Sequence, residues 1–324
     1  MSSTYEMVAM ANGTSLSSHV EAVVNAVVET PRNPYHYVPS RVACIILLAI
    51  FAISTGTHVW QAVRYRLWWM FPTAVLCGLM EVIGWGARLW SSFDVFKRMP
   101  YIMQTSLTVL APTPLLAASF IIFAEVIRVL GPAYSRISPR YYAKIFLSCD
   151  IIALLVQGAG GGLAASANDS KGAMLGSNII LGGIVFQLIV ICVFCAFSID
   201  YSVRYFKEWP LKSASGKDEE RGVCTPRMKK MLAGLALGMV ALFIRAVYRT
   251  IELADGWEGR IMTTEVYFNV LDGAMIVLAI CILNIVYPGR YLFQPPAARG
   301  DLYRGLDTSA GGAMQLDDRS LLRA

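Results

Sequence analysis

SNIILGGIVFQLIVICVFCAFSI, from Ser177 to Ile199, runs for 23 residues without one charged side chain. At ~1.5 Å of rise per residue, a helix of that length reaches ~30 Å, the thickness of a bilayer's hydrocarbon core. The stretch predicts a membrane-crossing helix. Six others share its pattern, near residues 42–60, 69–90, 102–127, 145–165, 231–252 and 267–287. The expected fold class is therefore all-α, an integral membrane bundle of seven transmembrane helices over residues 37–292. A polar N-terminal tail, 1–36, precedes it and a C-terminal tail, 293–324, follows. Of the 324 residues, 56% are hydrophobic and 15% charged, too apolar for an ordinary soluble domain. Residues 1–36 lack the continuous apolar core of a cleaved signal peptide, so the first span is expected to do the targeting.

The loops between these stretches differ in charge. Counted alternately, one side carries 19 Lys and Arg, eight of them between Arg204 and Lys230, and the other side carries five. Short loops rich in Lys and Arg stay cytoplasmic, which predicts the N-terminus outside and the C-terminus inside. The net charge of +6 then reflects orientation and contact with an anionic inner leaflet, with no nucleic-acid partner expected. Two sequons, Asn12-Gly13-Thr14 and Asn168-Asp169-Ser170, fall on the expected outer side, making Asn12 and Asn168 candidate glycosylation sites. Six of the seven cysteines lie inside spans and Cys224 lies in a cytoplasmic loop, leaving no outer disulfide. Trp60, Trp68, Trp69, Trp90, Tyr201 and Tyr291 fall near expected interfaces as belt residues, with Trp85 the exception.

Ionisable groups inside hydrocarbon cost ~2.5–3.5 kcal/mol each on insertion scales, so each requires a partner, a watery cavity or a function. This chain has Glu81, Arg88, Glu125, Asp150, Arg245, Arg249, Glu252 and Asp272 there. Glu81 and Arg88, seven apart, share one helix face, and Arg245, Tyr248, Arg249 and Glu252 form a stripe at three- and four-residue steps. From rise per residue, Arg88, Arg245, Arg249, Glu252 and Asp272 fall in the outer half, Glu81, Gln157 and Gln187 near the midplane, and Asp150 toward the cytoplasm. The expected substrate path is Glu81, Asp150, Gln157, Gln187 and Asp272; the expected structural cluster is Arg88, Arg245, Arg249 and Glu252. Mutual pairing as structural glue is the plainer alternative for all of them. Pro112 and Pro114 remove backbone donors in mid-membrane and predict a kink in the third span. The glycines of Gln157 to Gly162 and Gly182-Gly183 predict close helix packing.

Some chemistry is left unsupported. No G-x-x-x-x-G-K-[ST] loop occurs, so no nucleotide partner is expected. The three histidines, His19, His36 and His58, lie near the N-terminal tail or the first inner boundary, and neither a metal nor another cofactor is expected. The seventh stretch has no lysine for a retinal Schiff base. No catalytic constellation occurs at membrane depth, so the chain is not expected to be an enzyme.

The stretches Glu81 to Arg88, Ala117 to Ser119, Phe146 through Asp150 to Gln157, Gly182 to Gln187, Arg245 to Glu252, Glu265 to Asp272 and Asn284 to Gly289 together resemble the fungal lipid-translocating exporter family, the RTA-like proteins. The resemblance covers about residues 37–292. The chain departs from the family pattern at Ile121, Glu125, Val126 and Tyr287. The resemblance implies a seven-span translocator or efflux factor for amphipathic molecules: sphingoid long-chain bases, aminocholesterol and other toxic lipids, and in one branch porphyrin. The expected partners are an amphipathic lipid or small molecule and the membrane lipids themselves. The expected place is the plasma membrane, with an endomembrane as the alternative. The rival function is a heptahelical lipid-sensing receptor signalling through the basic loop 204–230.

Overall fold

The computed structural model describes residues 33–167, 169–211, 222–256 and 259–292. They are helical with no strand, and seven helical segments are long and apolar enough to cross a membrane. α1 is Arg41–Tyr65, α2 Leu76–Ser91, α3 Arg98–Leu110, α4 Pro112–Leu130, α5 Pro139–Ser166, α6 Ser170–Phe206, α7 Pro226–Asp255 and α8 Met275–Ile285. α3 and α4 together make the third span. The chain is thus a multi-pass membrane protein.

Each span outruns its hydropathy window. The stretch expected at 177–199 is a helix from Ser170 to Phe206, 37 residues or ~55 Å. Hydropathy falls off where polar side chains begin, but the backbone has no reason to stop there. Asp200 and Arg204, four apart, pair at 2.9 Å and carry α6 beyond the apolar window. Side-chain caps set the starts of α1 and α7: Ser40 accepts from the Ala43 N–H at 3.5 Å, and Thr225 from the Met228 N–H at 3.3 Å ahead of Pro226. Asn12, Asn168, loop residues 212–221 and the 293–324 tail lie outside the described residues.

The spans form a closed ring in chain order, the seventh returning to the first. The third span is the innermost: 83% of its apolar window is buried, against 28% for the fourth. Pro112 and Pro114 break it at Ala111, as the sequence predicts. α5 and α6 pack tightly through glycine: a Cβ on Gly160 would lie 2.8 Å from the Gly176 carbonyl oxygen, and one on Gly176 would lie 2.5 Å from the Ala164 nitrogen.

Two π-helical turns were not foreseen, Phe71–Val75 and Phe268–Ala274. The first contains Pro72 and leads into α2; the second leads into α8 and contains Asp272. Such wide turns re-aim the side chains they contain. Tyr201, expected in an interfacial belt, is instead buried between Phe123 and Tyr205, its hydroxyl donating to the Gly131 carbonyl at 3.2 Å. The α6 face that carries it turns toward the bundle, which hydropathy alone does not reveal. Trp60, Trp68 and Trp90 are exposed, whereas Trp85 is buried.

Candidate functional site

Most of the buried polar groups fall in two clusters, one on either side of the break in the third span. The first lies toward the end of the bundle that carries residues 92–97. Three- and four-residue spacing on α7 turns Arg245, Tyr248, Arg249 and Glu252 to one inward face, and the π-turn aims Asp272 at them. Asp272 accepts from Arg245 Nε and Arg249 Nε at 2.8 Å each, and from a second Arg249 nitrogen at 2.8 Å. Arg249 also reaches Glu252 at 2.7 Å, and Tyr248 donates to the same carboxylate at 2.7 Å. Arg245 Nη2 donates to the Thr108 carbonyl at 2.6 Å. That carbonyl would accept the i+4 N–H of residue 112, which proline lacks. The kink and the arginine are therefore one device: Pro112 frees an acceptor and Arg245 satisfies it. Pro112→Ala is expected to return a competing donor and straighten the helix, lowering thermal stability by about 1–2 kcal/mol's worth of Tm in a detergent melt. An unchanged Tm would separate the proline from the arginine.

Arg88 extends this cluster, donating to Tyr37 Oη at 2.9 Å and reaching Glu265 at 3.4 Å, with its guanidinium 4.4 Å from the centre of the Phe268 ring. Tyr35, on the segment before α1, donates to Gln104 at 2.7 Å and lies 2.9 Å from Ser91 Oγ. Burial pushes the Tyr35 pKa up to about 12, so its proton stays on at physiological pH. Glu81 lies within the field of Asp272, Arg245 and Arg249. One of its oxygens accepts from Trp85 Nε1 at 3.1 Å, and the other has no hydrogen-bond partner.

The second cluster lies beyond the break. Gln187 on α6 donates to Thr113 Oγ1 at 2.9 Å and to Asp150 Oδ1 at 3.2 Å, and accepts from Gln157 Nε2 at 3.1 Å. Asp150 is 1% exposed, Gln157 3% and Gln187 5%. Asp150 Oδ2 and Gln157 Oε1 have no hydrogen-bond partner, and no cation among the described residues pairs with Asp150. Gly183 makes room for this arrangement, since a Cβ there would lie 2.7 Å from Gln157 Cγ.

Gln157 also lines a cavity of about 580 Å³ between the third and fourth spans, floored by Gly158, Gly161 and Gly162 and walled by Tyr101, Thr105 and Ser106. That volume is within the ~300–1,000 Å³ of small-molecule sites. On the far side of the network, Phe194 packs against Phe120 at 4.6 Å, Phe146 at 5.3 Å and Phe123 at 5.6 Å between ring centres. The network is thus reached from one end of the bundle and blocked by rings toward the other.

The five residues expected to line one path are divided. Asp150, Gln157 and Gln187 come together, whereas Asp272 is bound into the arginine cluster and Glu81 stands beside it. Arg88, Arg245, Arg249 and Glu252 are buried in that same cluster. Tyr35, Tyr37, Gln104 and Thr113 had no sequence signal marking them as partners, because short polar side chains and ordinary tyrosines acquire meaning only from what faces them. A third polar group was also missed: His58 Nε2 lies 3.1 Å from the Ile280 carbonyl, Gln61 donates to the Asn284 carbonyl at 2.9 Å, and Asn284 reaches Ser54 Oγ at 2.6 Å, joining α1 to α8. Among the described residues no three His, Cys, Asp or Glu stand close enough to hold a metal.

The family model described as RTA1 like protein matches residues 74–295. The chain is 28% identical over 271 residues to the sphingoid long-chain base transporter RSB1 of Saccharomyces cerevisiae strain S288c, covering 76% of this chain and 70% of that one. Protein RTM1 of Saccharomyces cerevisiae is 27% identical over 233 residues, covering 71% of each chain. Protoporphyrin uptake protein 1 of the same yeast is 25% identical over 287 residues, covering 78% of this chain and 90% of that one. No solved structure matches the chain.

Proposed function

The chain belongs to the RTA1-like protein family, and on that premise we propose that it translocates amphipathic lipids or lipid-like compounds across the membrane and so confers resistance to them. One observation carries this reading: Gln157 belongs both to the buried Asp150–Gln187 network and to the wall of the cavity. A molecule entering the cavity laterally can keep its tail among apolar side chains or lipid while its head exchanges hydrogen bonds with the amides. That lowers the cost of drawing an unsolvated polar group through hydrocarbon. Asp150, a buried carboxyl without a cationic partner among the described residues, can serve as counter-ion to a head bearing an amine, as a sphingoid base does. The relatives named for transport of a sphingoid base and uptake of a porphyrin support a lipid-like cargo class.

The charge asymmetry of the loops supports an orientation with the 92–97 end outside, and export toward that side is part of the proposal. A plasma-membrane location and glycosylation at Asn12 belong to the same proposal. Treatment of the protein from a fungal membrane with an endoglycosidase should raise its gel mobility, and Asn12→Gln should abolish the change; protease protection of the N-terminus in intact cells would reverse the orientation. The transport test is direct: reconstitute the full chain in liposomes and follow a fluorescent sphingoid base between leaflets. Flux equal to that of protein-free vesicles would end the proposal.

A further inference from the structure

We infer that the crevice between α6 and α7, at the end opposite the 92–97 turn, binds an anionic phospholipid with its phosphate at the first turn of α7. The crevice holds about 790 Å³. Its walls are Ile199 and Val203 from α6 and Leu232, Val240 and Phe243 from α7, and all but Leu232 are among the exposed large apolar side chains. The one charged residue lining it is Lys229, exposed and without an ion pair among the described residues. Arg227 and Lys230 flank it, exposed and also without one.

Three further features favour an anion at this mouth. The α7 macrodipole places partial positive charge at the turn that carries Lys229. Asp200 on α6 is paired with Arg136 and Arg204 at 2.9 Å each and makes no ion pair with an α7 cation among the described residues. Most of the chain's loop cations gather at this end, so on the orientation proposed above it faces the leaflet rich in acidic lipids. An apolar groove, a cationic rim and an interfacial depth together match a lipid with two tails and a phosphate. The same rim repels an amine head, which sets this crevice apart from the Asp150 cavity. The Phe194 ring cluster lies between the two.

The full chain should be taken up from vesicles of phosphatidylcholine with a minority of phosphatidylserine into mild detergent, and the retained lipid read by native mass spectrometry. Wild type should keep phosphatidylserine in preference to phosphatidylcholine. Lys229→Gln should lower that retention about five-fold, and Val240→Trp, which fills the groove, should lower it while leaving helical content unchanged. Equal retention of the two lipids, or retention indifferent to both variants, would overturn the inference. So would displacement of the lipid by glycerol phosphate alone, which would reduce the site to a phosphate patch, or by a sphingoid base, which would reassign the crevice to cargo. Each of these results leaves liposome flux through the Asp150 network as a separate measurement.

Discussion

Asp150→Asn is expected to reduce transbilayer movement of a fluorescent sphingoid base about 100-fold, with the protein still folded and still in the membrane. The substitution keeps the shape of the side chain and an oxygen for Gln187 Nε2, which now donates to Asp150 Oδ1 at 3.2 Å. What it removes is the capacity of the carboxyl to become an anion opposite an arriving amine. An amine passing without a counter-charge meets the ~2.5–3.5 kcal/mol cost of a lone ion in hydrocarbon, which corresponds to about two orders of magnitude in rate. Gln187→Leu should do comparable damage by another route, because it disconnects Thr113, Asp150 and Gln157 at once. Flux and sphingoid-base resistance that survive Asp150→Asn would remove the carboxylate from the mechanism.

Asp272→Ala should act on the fold itself. Asp272 is fully buried and receives three charge-assisted hydrogen bonds, so its loss leaves the Arg245 and Arg249 guanidiniums facing each other without that acid. Removing one partner of a buried ion cluster costs about 3–5 kcal/mol, because the remaining charge cannot be resolvated. The expected outcome is aggregation on detergent extraction, or a monodisperse fraction that melts far below wild type. Arg245→Met should be milder. The losses are one of the three bonds to Asp272 and the donor to the Thr108 carbonyl, while Arg249 keeps both of its bonds to that acid. A variant at Asp272 that melts like wild type but fails to transport would move this residue back into the path.

The contrast between these two acids marks how far the sequence could be read. Hydropathy located all seven spans, because a bilayer imposes one length scale on every crossing helix and the apolar count reports it directly. The break at Pro112 was equally legible, since a missing N–H is a property of the residue. Depth along each helix was recoverable from rise per residue only in part: it set Gln157 beside Gln187, which the structure joins, but it placed Asp150 in a separate layer and Glu81 with the amides, whereas Asp150 bonds to Gln187 and Glu81 stands by the arginine cluster. Azimuth was not. Whether Asp272 faces Gln157 or Arg249 depends on how α8 is rotated against α7, and the π-turn Phe268–Ala274 sets that rotation. A wide turn has no compositional signature, so the arginine partners of Asp272 could not be read from spacing. Tyr35 and Tyr37 were hidden for a related reason: they belong to a short irregular segment before α1, and only its path over α2 and α3 brings their hydroxyls to Arg88 and Gln104.

The split third span has a mechanical consequence. Thr108 is held on one side of Ala111 by Arg245 and Arg249, and among the described residues the Thr113 hydroxyl, on the other side, is held by Gln187 alone. The upper half-helix is thereby fastened to α7 by charged clamps, while at the break the lower half has one neutral side-chain hydrogen bond, which cargo itself would compete for, and relies below that on apolar packing. Such an arrangement makes the stem above Ala111 a stator, and engaging the Gln187 amide would free the upper edge of the segment below it, whose rings Phe120 and Phe123 lie about two to three turns farther down.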